Sequence, residues 1–273
     1  MHGPNRFLDP TVPRIVGGRE AEPHTHPWIA SLTDERLKLF CGGSLINDRY
    51  ILTAAHCLPG KTPETVRVLM GHHDFLRLKD ATVFLVDKLI TYPNYTASDP
   101  NQKFDLALIR LKEKVLFNDH IQPVCLPGRK LSQEFDLLVA AGWGQLGEDL
   151  GTSIRLQEVE LPEVKLAECV KKLRPTRVTY AHICAGNKNR DACGGDSGGP
   201  LITFDNSTGL TRWKKRWTQV GVTSWGIKCA HSYYPGVFTR VYAYADWINR
   251  TTIDARYCNN KRTFQQQENY DDC

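Results

Sequence analysis

Residues 189–201 read NRDACGGDSGGPL and place Ser197 between an aspartate and two glycines, four residues after a cysteine. A serine hydroxyl is inert at neutral pH and becomes a nucleophile only where other residues activate it. The segment alone therefore permits two interpretations, a catalytic nucleophile or part of a tight loop. The remainder of the chain separates them.

Composition indicates the compartment in which the chain works. Nine cysteines among 273 residues exceed the usage of a typical cytosolic enzyme and indicate oxidising surroundings. Three Asn-x-Ser/Thr sequons, at Asn94, Asn206 and Asn249, fit a secreted glycoprotein. The sequence has neither a CxxC pair nor an HExxH motif, and the net charge of +5 does not by itself indicate a nucleic-acid partner.

The N-terminus lacks a secretion signal. The first 14 residues, MHGPNRFLDPTVPR, contain no apolar core such as a signal peptide requires, and no segment of the sequence is long and apolar enough to span a membrane. We expect residues 1–14 to be a propeptide or leader remnant, and the sequence to be a fragment of a longer secreted, extracellular precursor.

Short runs of β-branched and aromatic residues, broken by Gly, Pro, Asn and Asp, dominate the chain from residue 15 onward. Runs such as VRVLMG, DLALIRL and WTQVGVTSWG predict the strands of one all-β domain over residues 15–250. The segments LAECVKKL and YAYADWINRTTI carry apolar residues at helical spacing and predict helices. Residues 251–273 form a C-terminal extension, polar from about Tyr257 and expected to be disordered unless its cysteines are bonded.

A serine nucleophile needs a base, an acid that orients the base, and donors for the oxyanion. His56, in LTAAHC, is the candidate base, and Asp105 is the candidate acid because it precedes an apolar strand that would bury its carboxylate. The sequence GGDSGG can bend the backbone so that the amides of Gly195 and Ser197 point into one oxyanion hole. Each amide would stabilise the oxyanion by roughly 3 kcal/mol.

Five features resemble the chymotrypsin/trypsin family in order and spacing over residues 15–250: RIVGG at 14–18, LTAAHC at 52–57, Asp105, GDSGGP at 195–200 and SWG at 224–226. The resemblance implies an all-β fold of two six-stranded antiparallel β-barrels with the active site between them and a C-terminal helix. It also implies a serine endopeptidase with His56, Asp105 and Ser197 as catalytic residues and a hydrogen bond from Ser224 to the buried Asp105.

The resemblance further implies activation by cleavage. Cutting after Arg14 would free the α-amine of Ile15, which would pair with Asp196 and order the oxyanion loop and the specificity pocket. The chain as written is then an inactive zymogen.

The same resemblance places a specificity pocket around Asp191, whose carboxylate would select Arg or Lys side chains. Ala192 stands where many relatives have a serine that helps to bind lysine, so we expect Arg to be preferred over Lys. The remaining substrate-binding candidates line the pocket wall and rim: Ser224, Trp225, Gly226 and Gly236.

We expect no cofactor, and two departures from the family pattern also argue against bound sodium and calcium. Pro235 replaces the Tyr or Phe of sodium-regulated members, so we expect no sodium dependence. His72, Lys79 and Thr82 stand where the calcium loop of trypsin has oxygen ligands, so we expect no calcium there. Gly194 stands where the family often has a larger side chain, such as Gln, over the rim of the pocket. We therefore expect a wider pocket entrance.

The family framework pairs Cys41 with Cys57, Cys169 with Cys184, and Cys193 with Cys229. Three cysteines remain, at positions 125, 258 and 273. We favour a bond from Cys125 to an N-terminal chain outside this sequence, with Cys258 bonded to Cys273. A bond from Cys125 to either of those two is the alternative.

The expected partners are Arg/Lys-containing protein or peptide substrates, an activating protease and protein inhibitors of proteases, with no nucleic acid. A basic cluster, Arg212, Lys214, Lys215 and Arg216, is interpreted first as a solvated hairpin and second as an exosite for an acidic substrate region or a polyanion. Two rival classes are a proteolytically silent binding protein and a structural ectodomain module with a vestigial site. Both conflict with retention of all three catalytic residues.

Overall fold

A computed structural model describes residues 18–99, 102–128, 135, 137–144, 151–176, 178–187, 196–204, 217–227 and 233–257. Within these residues the chain forms fourteen strands and two α-helices. In chain order they are β1 (Arg19–Glu20), β2 (Ile29–Thr33), β3 (Leu39–Leu45), β4 (Tyr50–Thr53), β5 (Arg67–Met70), β6 (Thr82–Thr91), β7 (Ala107–Leu111), β8 (Leu138–Gly142), β9 (Gln157–Leu161), β10 (Glu163–Val164), α1 (Leu166–Lys172), β11 (His182–Ala185), β12 (Pro200–Phe204), β13 (Trp217–Trp225), β14 (Gly236–Arg240) and α2 (Ala245–Thr251).

The first unit is a closed six-stranded antiparallel barrel in the order β2-β3-β4-β7-β6-β5. Five of its strands bury most of their residues, whereas β6 buries only Val86. The interior is filled by side chains such as Leu32, Leu52, Met70 and Leu108. Closure pairs every strand edge and leaves none open to solvent. The barrel provides the rigid frame on which the end of β4, at Thr53, lies beside the start of β7, at Ala107.

The second unit is an eight-stranded antiparallel sheet in the order β1-β9-β8-β12-β13-β14-β11-β10. Its six central strands correspond to the six strands expected, and the two-residue strands β1 and β10 extend its edges. No pairing joins β1 to β10 within the described residues, so this unit is a half-barrel. The prediction of an all-β fold with two antiparallel units and a C-terminal helix is confirmed, with an open second sheet in place of a closed six-stranded barrel.

The C-terminal helix α2 follows the second unit but packs against the first. Ile248 of α2 and Tyr244, in the 3-10 turn before it, belong to the same buried cluster as the barrel core. Both helices lie where the apolar spacing predicts them. Each has seven residues, and no helix among the described residues has the length and apolar character needed to cross a bilayer.

The chain remains docked on the first barrel beyond α2. Tyr50 donates a hydrogen bond of 2.7 Å to Asp254, and the Arg256 N–H donates one of 2.8 Å to Asp48. The ring of Tyr257 is half-buried, and its hydroxyl lies 2.7 Å from Thr252 Oγ1. The first residues of the predicted extension are therefore ordered against the barrel.

Candidate active site

His56 lies in a single 3-10 turn, Ala55–Cys57, immediately after strand β4. Ala54 and Ala55, at the start of the turn, are fully buried. The Cys41–Cys57 disulfide joins this turn to β3. The His56 side chain is left 26 % exposed, so its ring is fixed on one side and accessible on the other.

Asp105 is fully buried, and three donors converge on its carboxylate. Oδ2 lies 2.7 Å from His56 Nδ1 and accepts a hydrogen bond of 2.5 Å from the Ser224 hydroxyl. Oδ1 accepts the His56 backbone N–H at 2.8 Å. These bonds satisfy a carboxylate that would otherwise be costly to bury, and they hold the imidazole in one orientation.

An unusual backbone conformation precedes Asp105. Phe104 has φ of 59°, in the left-handed region that bulky residues rarely adopt. Its ring stacks on Tyr92 with centroids 5.5 Å apart, and the Leu106 N–H bonds back to the Phe104 carbonyl at 2.7 Å. Packing thus holds a conformation that turns Asp105 into the protein. Sequence reasoning missed this feature, since an aromatic residue carries no signal for it.

Ser197 lies where the two units meet. The Gly42 N–H of β3 donates a hydrogen bond of 2.8 Å to the Ser197 carbonyl, and the next residue, Gly198, donates one of 2.9 Å to Thr223 of β13. Gly198 has φ of 78°, and a side chain there would collide with Thr53 and the Gly42 carbonyl. The glycine after the serine is therefore required both for backbone conformation and for close approach.

The serine backbone approaches the histidine turn. The Ser197 carbonyl oxygen lies 3.7 Å from Cys57 Sγ, in the residue after His56. Among the described residues no hydrogen bond joins the Ser197 hydroxyl to the His56 ring. Catalytic hydrogen bonds are often loose before substrate binds, so the arrangement remains compatible with a nucleophile and base.

Asp196 is buried beside the backbone of Gly144, whose N–H donates a hydrogen bond of 2.9 Å to Oδ1. A Cβ at Gly142 or at Gly144 would overlap the same carboxylate. Gly142, at the end of β8, and Gly144, two residues later, therefore leave the space that the Asp196 carboxylate occupies.

The described part of the predicted pocket consists of Ser224, Trp225, Gly226 and Gly236. Ser224 and Trp225 end β13, and Gly236 begins β14. A Cβ at Gly226 would meet no atom of the described residues within 4 Å. The other predicted residues here, Asp191, Ala192 and Gly195, lie outside the described residues.

The structure contains the Cys41–Cys57 and Cys169–Cys184 disulfides expected from the family framework. The sequon residue Asn94 is exposed, whereas Asn249 is half-buried in α2. Several sequence predictions concern residues outside the described ranges: Arg14, Ile15, Cys193, Cys229, Asn206, Cys258, Cys273 and the basic cluster at 212–216. The pairing of Cys125 accordingly stays a prediction.

His72, at a calcium-loop position, is buried and stacks on Trp143 with ring centroids 4.7 Å apart and planes 5° apart. Its Nε2 lies 3.2 Å from the Ser31 hydroxyl, and burial lowers its pKa to about 4. A neutral, stacked imidazole fits poorly as a ligand for a hard cation. Near the active site, Cys41, His56 and Cys57 lie close together, but the disulfide removes the thiolates that a metal would need.

Comparison with known proteins agrees with this arrangement. The Trypsin family profile matches residues 15–248. The chain is 37 % identical over 250 residues to vitamin K-dependent protein C of Mus musculus, covering 87 % of this chain and 51 % of that protein. It is 36 % identical to mannan-binding lectin serine protease 1 of Rattus norvegicus, covering 90 % and 36 %, and 35 % identical to the clotting factor G beta subunit of Tachypleus tridentatus, covering 89 % and 81 %.

The chain therefore belongs to the trypsin family of serine endopeptidases. It spans about half the length of the mouse protein C and about a third of the rat serine protease that it matches.

Proposed function

We propose that this chain is the catalytic domain of a secreted zymogen whose active form hydrolyses peptide bonds in protein substrates. Ser197 is the nucleophile, His56 the general base, and Asp105 the residue that orients the base. The observation that carries the proposal is the convergence of His56 Nδ1 and Ser224 Oγ on one buried oxygen of Asp105. An imidazole that donates Nδ1–H to this oxygen offers Nε2 as the acceptor for the serine proton.

The reaction follows from these roles. Ser197 Oγ attacks the scissile carbonyl as His56 takes its proton, and the amides of Gly195 and Ser197 stabilise the oxyanion. His56 then gives the proton to the leaving amine as the C–N bond breaks. Water, activated by the same imidazole, hydrolyses the acyl-enzyme and releases the new carboxylate.

Activation is proposed to follow cleavage after Arg14, with the freed α-amine of Ile15 pairing with Asp196. The buried position of Asp196 beside Gly144 supports this step. A buried carboxylate is stabilised by a cationic partner in addition to a backbone N–H, and the new pair would order the segment that carries Ser197. Residues 1–14, 15–250 and 251–273 would then be the leader, the protease domain and the C-terminal extension.

The proposed specificity is for Arg over Lys, through Asp191 at the base of a pocket beside Gly226 and Gly236. A Cβ at Gly226 would meet no atom of the described residues within 4 Å, which supports a long slot. The planar guanidinium of a substrate arginine can form two hydrogen bonds to the Asp191 carboxylate. A substrate lysine would need a further hydroxyl group in the pocket, which Ala192 does not provide. The similarity to a clotting factor subunit and to a mannan-binding lectin serine protease supports limited proteolysis within a protease cascade. In such a cascade, an activating protease would cleave this chain and protein inhibitors would stop its activity.

The test is hydrolysis of matched Arg and Lys p-nitroanilide peptides before and after brief trypsin treatment. We expect activity only after cleavage, higher kcat/KM for Arg, and none in Ser197→Ala. Arg14→Gln should remain inactive, and Asp191→Ser should lose cleavage after Arg. Full activity in uncut Arg14→Gln would contradict the zymogen, and retained Arg cleavage in Asp191→Ser would contradict the pocket.

A further inference from the structure

Trp143 connects the surroundings of Asp196 with the first unit. It stands between Gly142 and Gly144, and a Cβ at either glycine would overlap the Asp196 carboxylate. Trp143 is buried, with 2 % of its surface exposed. Because the main chain on both sides of Trp143 lies against Asp196 in a close-packed interior, a displacement of this tryptophan would displace the carboxylate as well.

Residues 72–75, in the loop after β5, hold the Trp143 side chain on three sides. His72 stacks on the indole with ring centroids 4.7 Å apart and planes 5° apart, and Phe75 meets it edge-on with centroids 5.5 Å apart. The indole N–H donates a hydrogen bond of 3.0 Å to the His73 carbonyl. These contacts give the ring its aromatic partners and its one polar group an acceptor, so they fix its position.

His72 is itself fixed to the first barrel. Its Nε2 lies 3.2 Å from the hydroxyl of Ser31, a fully buried residue of β2. Gly71, with φ of 77°, joins His72 to the end of β5. The stack of His72 on Trp143 therefore ties a residue of the second unit to the rigid frame of the first.

The main chain around Trp143 is held by the same loop. The His73 carbonyl that accepts the indole N–H also accepts the Leu156 N–H at 2.9 Å. Ser153, three residues before Leu156, donates its N–H to the Trp143 carbonyl at 3.2 Å. Removal of the His72 ring would thus weaken the hold on Trp143 without removing any of these hydrogen bonds.

We propose that His72 is a positioning residue for activation. By fixing Trp143, it stabilises the position in which Asp196 pairs with the freed α-amine of Ile15. The inference rests on the proposed function and names a residue that acts on the same site without touching substrate. A stacked pair of rings stabilises the arrangement that brings the rings together, which here is the one with Asp196 beside Gly144. Loss of the ring should raise the fraction of molecules with a released amine about three- to tenfold.

The test measures how often the Ile15 α-amine leaves Asp196. The full chain is activated with immobilised trypsin, and cyanate, which adds to a free amine, is then applied at neutral pH. The rate of carbamoylation at Ile15, followed by mass spectrometry, is proportional to the released fraction when modification is slower than re-pairing. Loss of p-nitroanilide hydrolysis should follow the same rate.

The expected rates separate the ring from its replacements. In His72→Ala, carbamoylation should be about three- to tenfold faster than in the parent chain. In His72→Phe, which keeps a ring against Trp143, the rate should stay within about twofold of the parent. His72→Leu fills much of the same space without an aromatic face and should be modified as fast as His72→Ala. It also takes the place of that variant if the smaller side chain prevents folding.

Tyr50→Phe is the control for a general loss of stability. It removes a hydrogen bond of 2.7 Å to Asp254, and Tyr50 belongs to a different buried cluster from Trp143. This variant should be carbamoylated at the parent rate.

The outcomes distinguish the inference from the proposed function. Modification of His72→Ala and His72→Leu at the parent rate, or equal acceleration in His72→Phe or Tyr50→Phe, would overturn the inference alone. Modification of Ile15 in the parent chain as fast as in a free peptide that begins IVGG would overturn the proposed pairing with Asp196, and this inference with it.

Discussion

The backbone N–H of Gly144 donates a hydrogen bond of 2.9 Å to Oδ1 of Asp196, the residue that precedes Ser197. A side chain at Gly144 would overlap the Asp196 carboxylate. We expect Gly144→Ala to displace Asp196 and with it the oxyanion loop. The activated variant should lose about 100-fold or more in kcat, the effect of losing an oxyanion donor.

The matched control for this substitution is Gly151→Ala. Among the described residues, no atom lies within 4 Å of the position that a Cβ at Gly151 would take, so a methyl group there meets none of them. The two variants should differ strongly in kcat on an Arg p-nitroanilide. Equal activity in both would show that the spacing between Gly144 and Asp196 has no part in catalysis.

Asp105→Asn tests the orienting carboxylate. The amide preserves the shape of Asp105 but favours the wrong tautomer of His56, so kcat should fall by about 10⁴-fold with little change in KM. Asp254→Asn is a suitable control, because Asp254 also binds a tyrosine and an arginine but lies away from the site. That variant should keep its kcat while losing some stability.

The two described disulfides allow a comparison at nearly equal loop length, with sequence separations of 16 for Cys41–Cys57 and 15 for Cys169–Cys184. Replacing either pair by alanines should lower the free energy of unfolding by about 3 kcal/mol. Only loss of Cys41–Cys57 should also lower kcat, because that bond fixes the histidine turn. Urea titration and kinetics on both variants check this, and similar kcat losses would contradict it.

His72 should make stability depend on pH. Burial lowers its pKa from 6.5 to about 4, so between these values the unfolded chain binds a proton that the folded chain does not. Stability is therefore lost as pH falls from 6.5 towards 4, by up to about 3 kcal/mol.

His72→Phe keeps a ring against Trp143 and removes this titration. Its free energy of unfolding should fall less between pH 7 and pH 4.5 than that of the parent chain, as measured by urea titration. If the free energy of unfolding of His72→Phe falls with pH as much as that of the parent chain, His72 is not the source of this pH dependence.

Local sequence motifs predicted the contacts of His56 and Ser224 with Asp105, because each of these residues lies in a short, rigid segment. His56 follows two buried alanines, and Ser224 ends an apolar strand that reaches Asp105. The helix α2 was predictable because its apolar spacing directly records which face is buried.

Other features could not be predicted because they depend on residues distant in the chain. The left-handed Phe104 is held by Tyr92 and Tyr244, the ring of His72 by Trp143, and Lys61 by Phe40. None of these residue types is unusual in its local segment. Likewise, the contacts of Asp254 and Arg256 with the first barrel leave no trace in the local sequence. Residues 258–273 lie outside the described residues, so the loose tail stays a prediction.

The most direct test of the central claim is active-site titration with a fluorophosphonate, followed by mass-spectrometric mapping of the modified residue. After cleavage at Arg14, the account predicts stoichiometric modification of Ser197, and none in His56→Ala, in which no base removes the serine proton. Absence of modification in fully cleaved protein, or modification at a serine other than Ser197, would contradict the assignment of this chain as a serine endopeptidase with that nucleophile.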